Sequence, residues 1–252
     1  MREWIVGRNP VFEVLRARQR QVFKVQIAAG VQPSARLIEI TMLAKERRIP
    51  VESVPRQALD KLDEHNQGVA VEASAYHYRA LQDILEIARQ PGRPALILVL
   101  DMIQNPQNLG TLLRSAEALG VDGVIMPLAR TAGVTPAVVH ASSGASEHVL
   151  VAQANLAQAI ESLKETGVWI LGLEAGQGSR PIEQVDLTIP LAWVVGNEGE
   201  GMRALVKKSC DLLVSLPMSG KVDSFNAAVA GSMALFHTVM MRRMKEGVPV
   251  SR

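Results

Sequence analysis

The sequence predicts an α/β fold, with a C-terminal parallel sheet covered on both faces and a smaller α/β region before it. Three observations predict it. From Ala95 onward, near-continuous apolar runs alternate with amphipathic stretches of helical period, as in strands buried between two helical layers. Three polar segments, Asn105 to Arg114, Gly196 to Met202 and Leu216 to Ala230, each follow a β-type run and lead into a helix-type run. Ligands of open α/β sheets gather beyond the carboxyl ends of strands, so these segments converge on one site. Finally, the breaker cluster Pro91-Gly92-Arg93-Pro94 separates the two regions.

In order, VFEVLRA after Pro10 has helical spacing, Val22 to Ala28 reads as a strand, and Ser34 to about Arg48 as an amphipathic helix. Pro50 to Val54 is a short strand, Arg56 to Leu62 a short helix, and Gly68 to Ala75 a strand with period-two alternation. The helix-like LQDILEIARQ lies in the stretch 76–94, assigned as a linker. Beyond it come strand ALILVLD, helix NLGTLLRSAEALG, strand DGVIMP, helix NLAQAIESLKETG, strands VWILGLE and AWVVG, a short helix after Gly201, strand DLLVSLP, and a long helix from Phe225 to about Lys245. The domains expected are 1–75, 76–94 as linker, and 95–252.

A chain of 252 residues, 48% apolar, is long enough for one large or two modest cores. The lone Cys210 excludes an intramolecular disulfide framework and a Cys-rich zinc site, and no other cluster suggests a metal. The N-terminal MREWIVGRNPVFEV lacks the sustained apolar core of a signal peptide, and no run approaches a membrane span, so a cytoplasmic location without membrane association is expected. Lys and Arg outnumber Asp and Glu by four over residues 1–94 and are outnumbered by two over 95–252. That bias fits a phosphate-facing first region, although many solvated faces carry as much.

The polar segments each have a plain structural reading. Gly196, Gly199 and Gly201 have the wrong order for a dinucleotide fingerprint, which disfavours a nicotinamide oxidoreductase, and they could serve only a tight strand-to-helix turn. Asn108 sits where a helix N-cap is expected. Gly110 inside the first turn costs roughly 1 kcal/mol against Ala, which suggests a close approach there. Arg114 lies one turn further; its plain reading is a solvated or salt-bridged surface residue, but its flanking sequence is apolar, and a buried arginine there would need a partner, for which Glu198 is the candidate. Ser224 reads as the cap of the last helix, whose Ala227, Ala228, Ala230 and Gly231 permit close packing.

Taken together, NxGxxxR, GxEGxG after a strand, and LPMxGxxxSxN resemble, in this order and spacing, the signature motifs of the SpoU (TrmH-type) RNA 2′-O-ribose methyltransferases of the SPOUT superfamily. GRNPVFEVLRA and HNQGVAVEA resemble the ribosomal-protein-like RNA-binding domain of its rRNA-modifying branch, so the likeness spans nearly the whole chain. It is nearest to bacterial enzymes that methylate a guanosine ribose in large-subunit rRNA.

The resemblance implies a deep trefoil knot in the C-terminal domain, S-adenosylmethionine as cofactor, and a homodimer. It assigns Gly196, Leu216 and Phe225 to the cofactor wall, with Leu173 and Glu174 beside them. Arg114 matches the family's catalytic arginine. Asn108 and Asn226 would orient nucleotide and loops, Ser224 would position the ribose or Arg114, and Glu198 would fix Arg114. Arg8, Asn9 and His65 are candidate RNA contacts, by shape and phosphate rather than by stacking, since aromatic residues are sparse there. One departure stands out: where the family has Ser-Leu-Asn-Val-Ser, this chain has Ser224-Phe225-Asn226-Ala227-Ala228, without the second serine. A tRNA substrate and a non-catalytic RNA-binding or ribosome-assembly role are the alternatives.

Overall fold

The computed structural model describes residues 1–176, 178–222 and 224–247. The chain divides into two compact units, Met1–His77 with Gly133–His148, and Tyr78–Ala132 with Val149–Arg252. In chain order the elements are β1 (Arg2–Val6), α1 (Arg8–Ala17), β2 (Val22–Ala28), α2 (Ala35–Glu46), β3 (Val51–Val54), α3 (Arg56–Asp60), β4 (Val69–Ser74), α4 (Leu81–Ala88), β5 (Leu96–Leu100), α5 (Pro106–Ala118) and β6 (Gly123–Met126). They continue with α6 (Pro136–Ala141), β7 (Val151–Gln153), α7 (Leu156–Lys164), β8 (Trp169–Leu173), β9 (Arg180–Pro181), β10 (Leu191–Val195), α8 (Ala204–Ser209), β11 (Leu212–Ser215) and α9 (Ala227–Lys245).

The first unit is built on a four-stranded sheet of order β1-β4-β2-β3, antiparallel except for the β2–β3 pair. Alternation along the strands buries Ile5, Val25, Val71 and Ala73. The segment Gly133–His148 belongs to this unit, with α6 against β1, and a buried ion cluster ties it there. Arg20, whose side chain has no exposure, donates from Nε and Nη2 to both carboxylate oxygens of Glu147 at 2.9 Å. Its Nη1 reaches Glu3 Oε2 at 2.9 Å and the Ser74 carbonyl at 3.1 Å. A buried bidentate pair with its remaining donors satisfied is the arrangement in which two charges survive away from water. His148 Nε2 meets Glu13 Oε2 at 2.7 Å, and the Tyr76 hydroxyl donates to the Ser146 carbonyl. Gly144, at φ 87°, lies so close that a Cβ would stand 2.6 Å from that of Glu13.

These observations redraw the boundaries expected from the sequence. The stretch 76–94 carries α4, whose Ile84 and Leu85 fall on one apolar face and are buried in the second unit's core with Ile97, Val99 and Ile125. Conversely, Gly133–His148 leaves the interval 95–252 to join the first unit.

The second unit holds a seven-stranded sheet of order β7-β6-β5-β10-β8-β11-β9, parallel at every pairing. Its central strands LILVL and LAWVV are buried at every residue, which is why their sequences run apolar without alternation. The last helix packs closely on α5 and β10: a Cβ at Gly231 would meet Leu112 Cδ2 at 2.7 Å, and Ser115 and Ser232 hydroxyls lie 2.7 Å apart. Buried Trp193 donates from its indole to Thr238 Oγ1 at 2.9 Å. At the far end of α9, the Arg242 guanidinium donates to the carbonyls of Pro94, Ala95, Leu187 and Ile189. Burial pulls Arg242 down to about 10, still charged at neutral pH.

Candidate active site

The three polar segments do meet, at the carboxyl rim of the second unit's sheet. Asn105 caps α5, its Oδ1 accepting from Gln107 N at 2.8 Å with Pro106 in the first helical turn. Asn108 is therefore not the cap expected from the sequence; it sits within the first turn, and its amide donates to Glu198 Oε1 at 2.6 Å. Asn226, rather than Ser224, caps α9: its Oδ1 accepts from Ala228 N and Val229 N. Its Nδ2 faces both Asn108 Oδ1, at 3.2 Å, and Glu198 Oε1 in a very short contact. One residue from each segment thus joins a triangle of two amides and a carboxylate.

The loop carrying Glu198 is shaped by its own sequence. Asn197 Oδ1 accepts from Gly199 N at 2.9 Å and Glu200 N at 2.7 Å, an Asx turn, and the Asn197 and Gly201 backbones exchange two hydrogen bonds. Gly196 is required by this folding back, since a Cβ there would lie 2.3 Å from the Gly201 carbonyl carbon. Gly201 takes φ 70°, left-handed backbone that suits glycine.

Two cavities flank the triangle. One, of about 320 Å³, is lined by Leu173, Glu174, Gly196, Leu216 and Phe225, the five residues that the family resemblance assigned to the cofactor, and also by Glu198, Glu200, Met218 and Ser224. The other, of about 430 Å³, lies between Met102–Asn105, Asn108 and the Asn197–Glu200 loop. Lys207 Nζ, from α8, holds Glu174 Oε1 at 2.9 Å at the edge of the first cavity.

Other assignments take a different form. Arg114 is exposed on α5, in line with the surface reading and not the buried one, and Glu198, the carboxylate proposed to hold it, is engaged by the two amides. In the first unit, Arg8 bonds from its N–H to Gln67 Oε1 at 2.9 Å and from Nε to the Gln67 carbonyl at 3.2 Å, bringing GRN and HNQG together. Asn9 and His65 are exposed; the residue that builds that turn is buried Asn66, bonded to Asp60, the Asp63 carbonyl and Gly68 N. Cys210 is no nucleophile at neutral pH: burial first, then Asp211, pushes its thiol up to about 12.

Asn105, Asn197 and Lys207 were missed in the sequence reading. Asn197 had a local signal, an Asn two residues before a Gly. Lys207 had none, because its partner lies 33 residues away.

Residues 95–236 match the family model of the SpoU rRNA methylase family, and residues 4–79 that of the RNA 2′-O ribose methyltransferase substrate-binding region. The chain belongs to the SpoU family. It is 37% identical over 243 residues to the Bacillus subtilis protein YacO, named as a TrmH family tRNA/rRNA methyltransferase, covering 95% of this chain and 96% of that one. A Mycolicibacterium smegmatis protein named as an uncharacterized tRNA/rRNA methyltransferase is 38% identical over 244 residues, 96% of this chain and 77% of that one. In fold it is similar to the SpoU methyltransferase AviRb of Streptomyces viridochromogenes, solved with AdoMet, at TM-score 0.79 and 23% identity over 96% of this chain and 91% of that one.

By family this member of the SpoU group is an RNA 2′-O-ribose methyltransferase. Its departure at Ala227-Ala228 falls where both residues are buried against the fold, and the hydroxyl one turn on, Ser232 Oγ, donates to the Ala228 carbonyl and lies beside Ser115. Among the described residues, no group of three or more His, Cys, Asp or Glu is placed to hold a metal, and no helix is long and apolar enough to cross a membrane.

Proposed function

We propose that this protein transfers a methyl group from S-adenosylmethionine to a ribose 2′-hydroxyl of large-subunit rRNA, at a guanosine, in the cytoplasm. The observation carrying the proposal is the Asn108–Glu198–Asn226 triangle standing between two cavities, one for donor and one for acceptor.

The lining of the first cavity suits this cofactor. Leu173, Val195, Leu216, Met218 and Phe225 offer apolar surface to an adenine, while Glu174, Glu198 and Glu200 offer negative charge to a cationic sulfonium and ammonium. Bound there, S-adenosylmethionine supplies an electrophilic methyl on sulfur. The 2′-hydroxyl would have to lie in line with it, its oxygen gaining the methyl as the S–CH3 bond breaks to leave S-adenosylhomocysteine and its proton passing to solvent water. Guanidinium stays protonated in ordinary protein surroundings, so Arg114 serves to hold the adjoining phosphate and stabilise charge developing on the ribose oxygen rather than as a base. Asn108 and Asn226 fix the Glu198 carboxylate at the cavity wall without neutralising it, and Ser224 borders the same space. Gly196 and Glu174 belong to the cofactor side.

Three further parts belong to this reading. Arg8, Asn9 and His65 contact the RNA. The second unit is knotted as a deep trefoil, supported by β10 lying between β5 and β8, β11 lying beyond β8, and α9 returning against α5. The enzyme is a homodimer: Val229, Met233, Phe236 and Met244 expose an apolar stripe along α9 at helical spacing.

Labelled methyl is offered from S-adenosylmethionine to unmodified large-subunit rRNA, small-subunit rRNA and tRNA, followed by alkaline hydrolysis. One alkali-resistant step in large-subunit rRNA is expected. Incorporation into tRNA alone, or none into any RNA, overturns the substrate assignment.

A further inference from the structure

The carboxyl rim of the second unit carries a third cavity that the reading above leaves unused. It has a volume of about 340 Å³ and lies beyond the ends of β6 and β7, lined by Pro127–Arg130, Ala154–Ala157, Arg203, Leu205 and Val206. We propose that it is a second RNA subsite, receiving the nucleotide next to the methylated one, with the backbone phosphate on Arg130 and Arg203 and the base against Leu128 and Leu205. The proposal rests on the RNA methyltransferase reading.

Position is the first argument. Along the sheet the cavities follow the strand order: the Arg130 cavity beyond β7 and β6, the Asn108 cavity beyond β5 and β10, and the Glu174 cavity beyond β10, β8 and β11. Donor, target ribose and neighbouring nucleotide thus occupy one rim in sequence, as a strand of RNA laid across it requires.

Charge is the second. The cofactor cavity is lined by three carboxylates, of which Glu198 and Glu200 stand beside a Glu174 already paired with Lys207, whereas this one is lined by no carboxylate and by two guanidinium groups, Arg130 and an Arg203 whose inner edge is paired with Asp101 behind it. A cationic ligand is favoured at one end and an anionic one at the other. Leu128 and Leu205 are 69% and 65% exposed, which leaves apolar surface at the mouth for the face of a base. Asn155 spends its oxygen on capping α7, so its amide NH2 is what it offers inward.

The third argument is mechanical linkage to the target pocket. Buried Asp101 fixes Arg203 at two points, accepting from its N–H at 2.8 Å and from Nε at 2.7 Å, so that the guanidinium is aimed with its outer nitrogens available. Two residues on, the Ile103 carbonyl accepts from Thr131 Oγ1 at 2.9 Å and from Ala132 N at 2.8 Å, which holds the loop carrying Arg130. Arg130 itself sits at φ 59°, a left-handed conformation that a residue with a side chain keeps only when its surroundings impose it. Ile103 also walls the Asn108 cavity, so one short segment sets the geometry of both pockets.

The test uses the full chain and in vitro-transcribed large-subunit rRNA. Arg130 is exposed, so Arg130→Glu should fold normally, as its melting temperature will report, and should bind S-adenosylhomocysteine as wild type does by calorimetry. Its RNA affinity should fall at least about tenfold, with the salt slope reduced by about one or more phosphate contacts. A photo-crosslinking amino acid at Leu128 should attach within one or two nucleotides of the methylated ribose. Unchanged affinity and slope, or a cross-link elsewhere in the RNA, overturns the subsite and leaves the methyltransferase reading standing. Failure of wild type to bind the RNA overturns both. Equal displacement from the wild-type site by an acidic peptide would assign the cavity to a protein partner instead.

Discussion

Two glutamates, one in each unit, are held by short hydrogen bonds in opposite ways. Glu147 is fully buried and meets a full positive charge in Arg20, whose remaining donors reach Glu3 and Ser74. Glu198 is exposed and meets two neutral amides, Asn108 and Asn226. The first cancels its charge and serves to hold distant chain together. The second is held in position by neutral partners, which suits the place beside a cationic cofactor proposed for it.

The largest expected effect lies on the buried side. Arg20→Met should lower unfolding free energy in urea by about 3–5 kcal/mol, because the Glu147 carboxylate is left unpaired in the interior; adding Glu147→Leu should recover part of it. Recovery of nothing would mean the ion pair is not what holds Gly133–His148. Next is the exposed arginine: Arg114→Ala should cut methyl transfer by about 10²–10³-fold, while S-adenosylhomocysteine affinity stays within about twofold. A large loss of cofactor affinity in a folded variant would move Arg114 to the other side of the site.

Substitution of the two glutamates by glutamine sharpens the contrast directly. Glu198→Gln should slow turnover on the order of tenfold or more with little change in melting, whereas Glu147→Gln should do the reverse. Asn226→Ala removes a helix cap as well as a site contact, so about 0.5–2 kcal/mol of stability should go with the activity. The smallest effect is chemical: with its thiol raised to about 12, Cys210 should resist alkylation at pH 8 in the folded protein and react after unfolding. Rapid native alkylation would show that the β8–α8 packing opens.

Most of the second unit was legible in the sequence because its signals are local. The runs LILVL and LAWVV, short, apolar throughout and alternating with amphipathic stretches, read as doubly buried strands, and the stretch NPQNLGTLLRSA carries its own cap, proline and apolar spacing. Some elements escaped: β1 and α6 went unread, and β7 and β9, with three and two residues, are too short to display a period. The family resemblance grouped Leu173, Glu174, Gly196, Leu216 and Phe225, which line one cavity, but the cap assignments slipped, since Asn108 and Ser224 lie within a few residues of the true caps Asn105 and Asn226. Partners were the least legible part. Arg20 and Glu147 are 127 residues apart, and nothing in either neighbourhood announces the other.

That separation matters to anyone who would transplant the first unit. The family match for the substrate-binding region stops at residue 79, and a graft cut there would carry Arg20 without Glu147, and Glu13 without His148. What looks like a detachable module in the linear sequence is a discontinuous one, threaded through by a visitor from the middle of the gene. A working chimera must therefore import Gly133–His148 along with it.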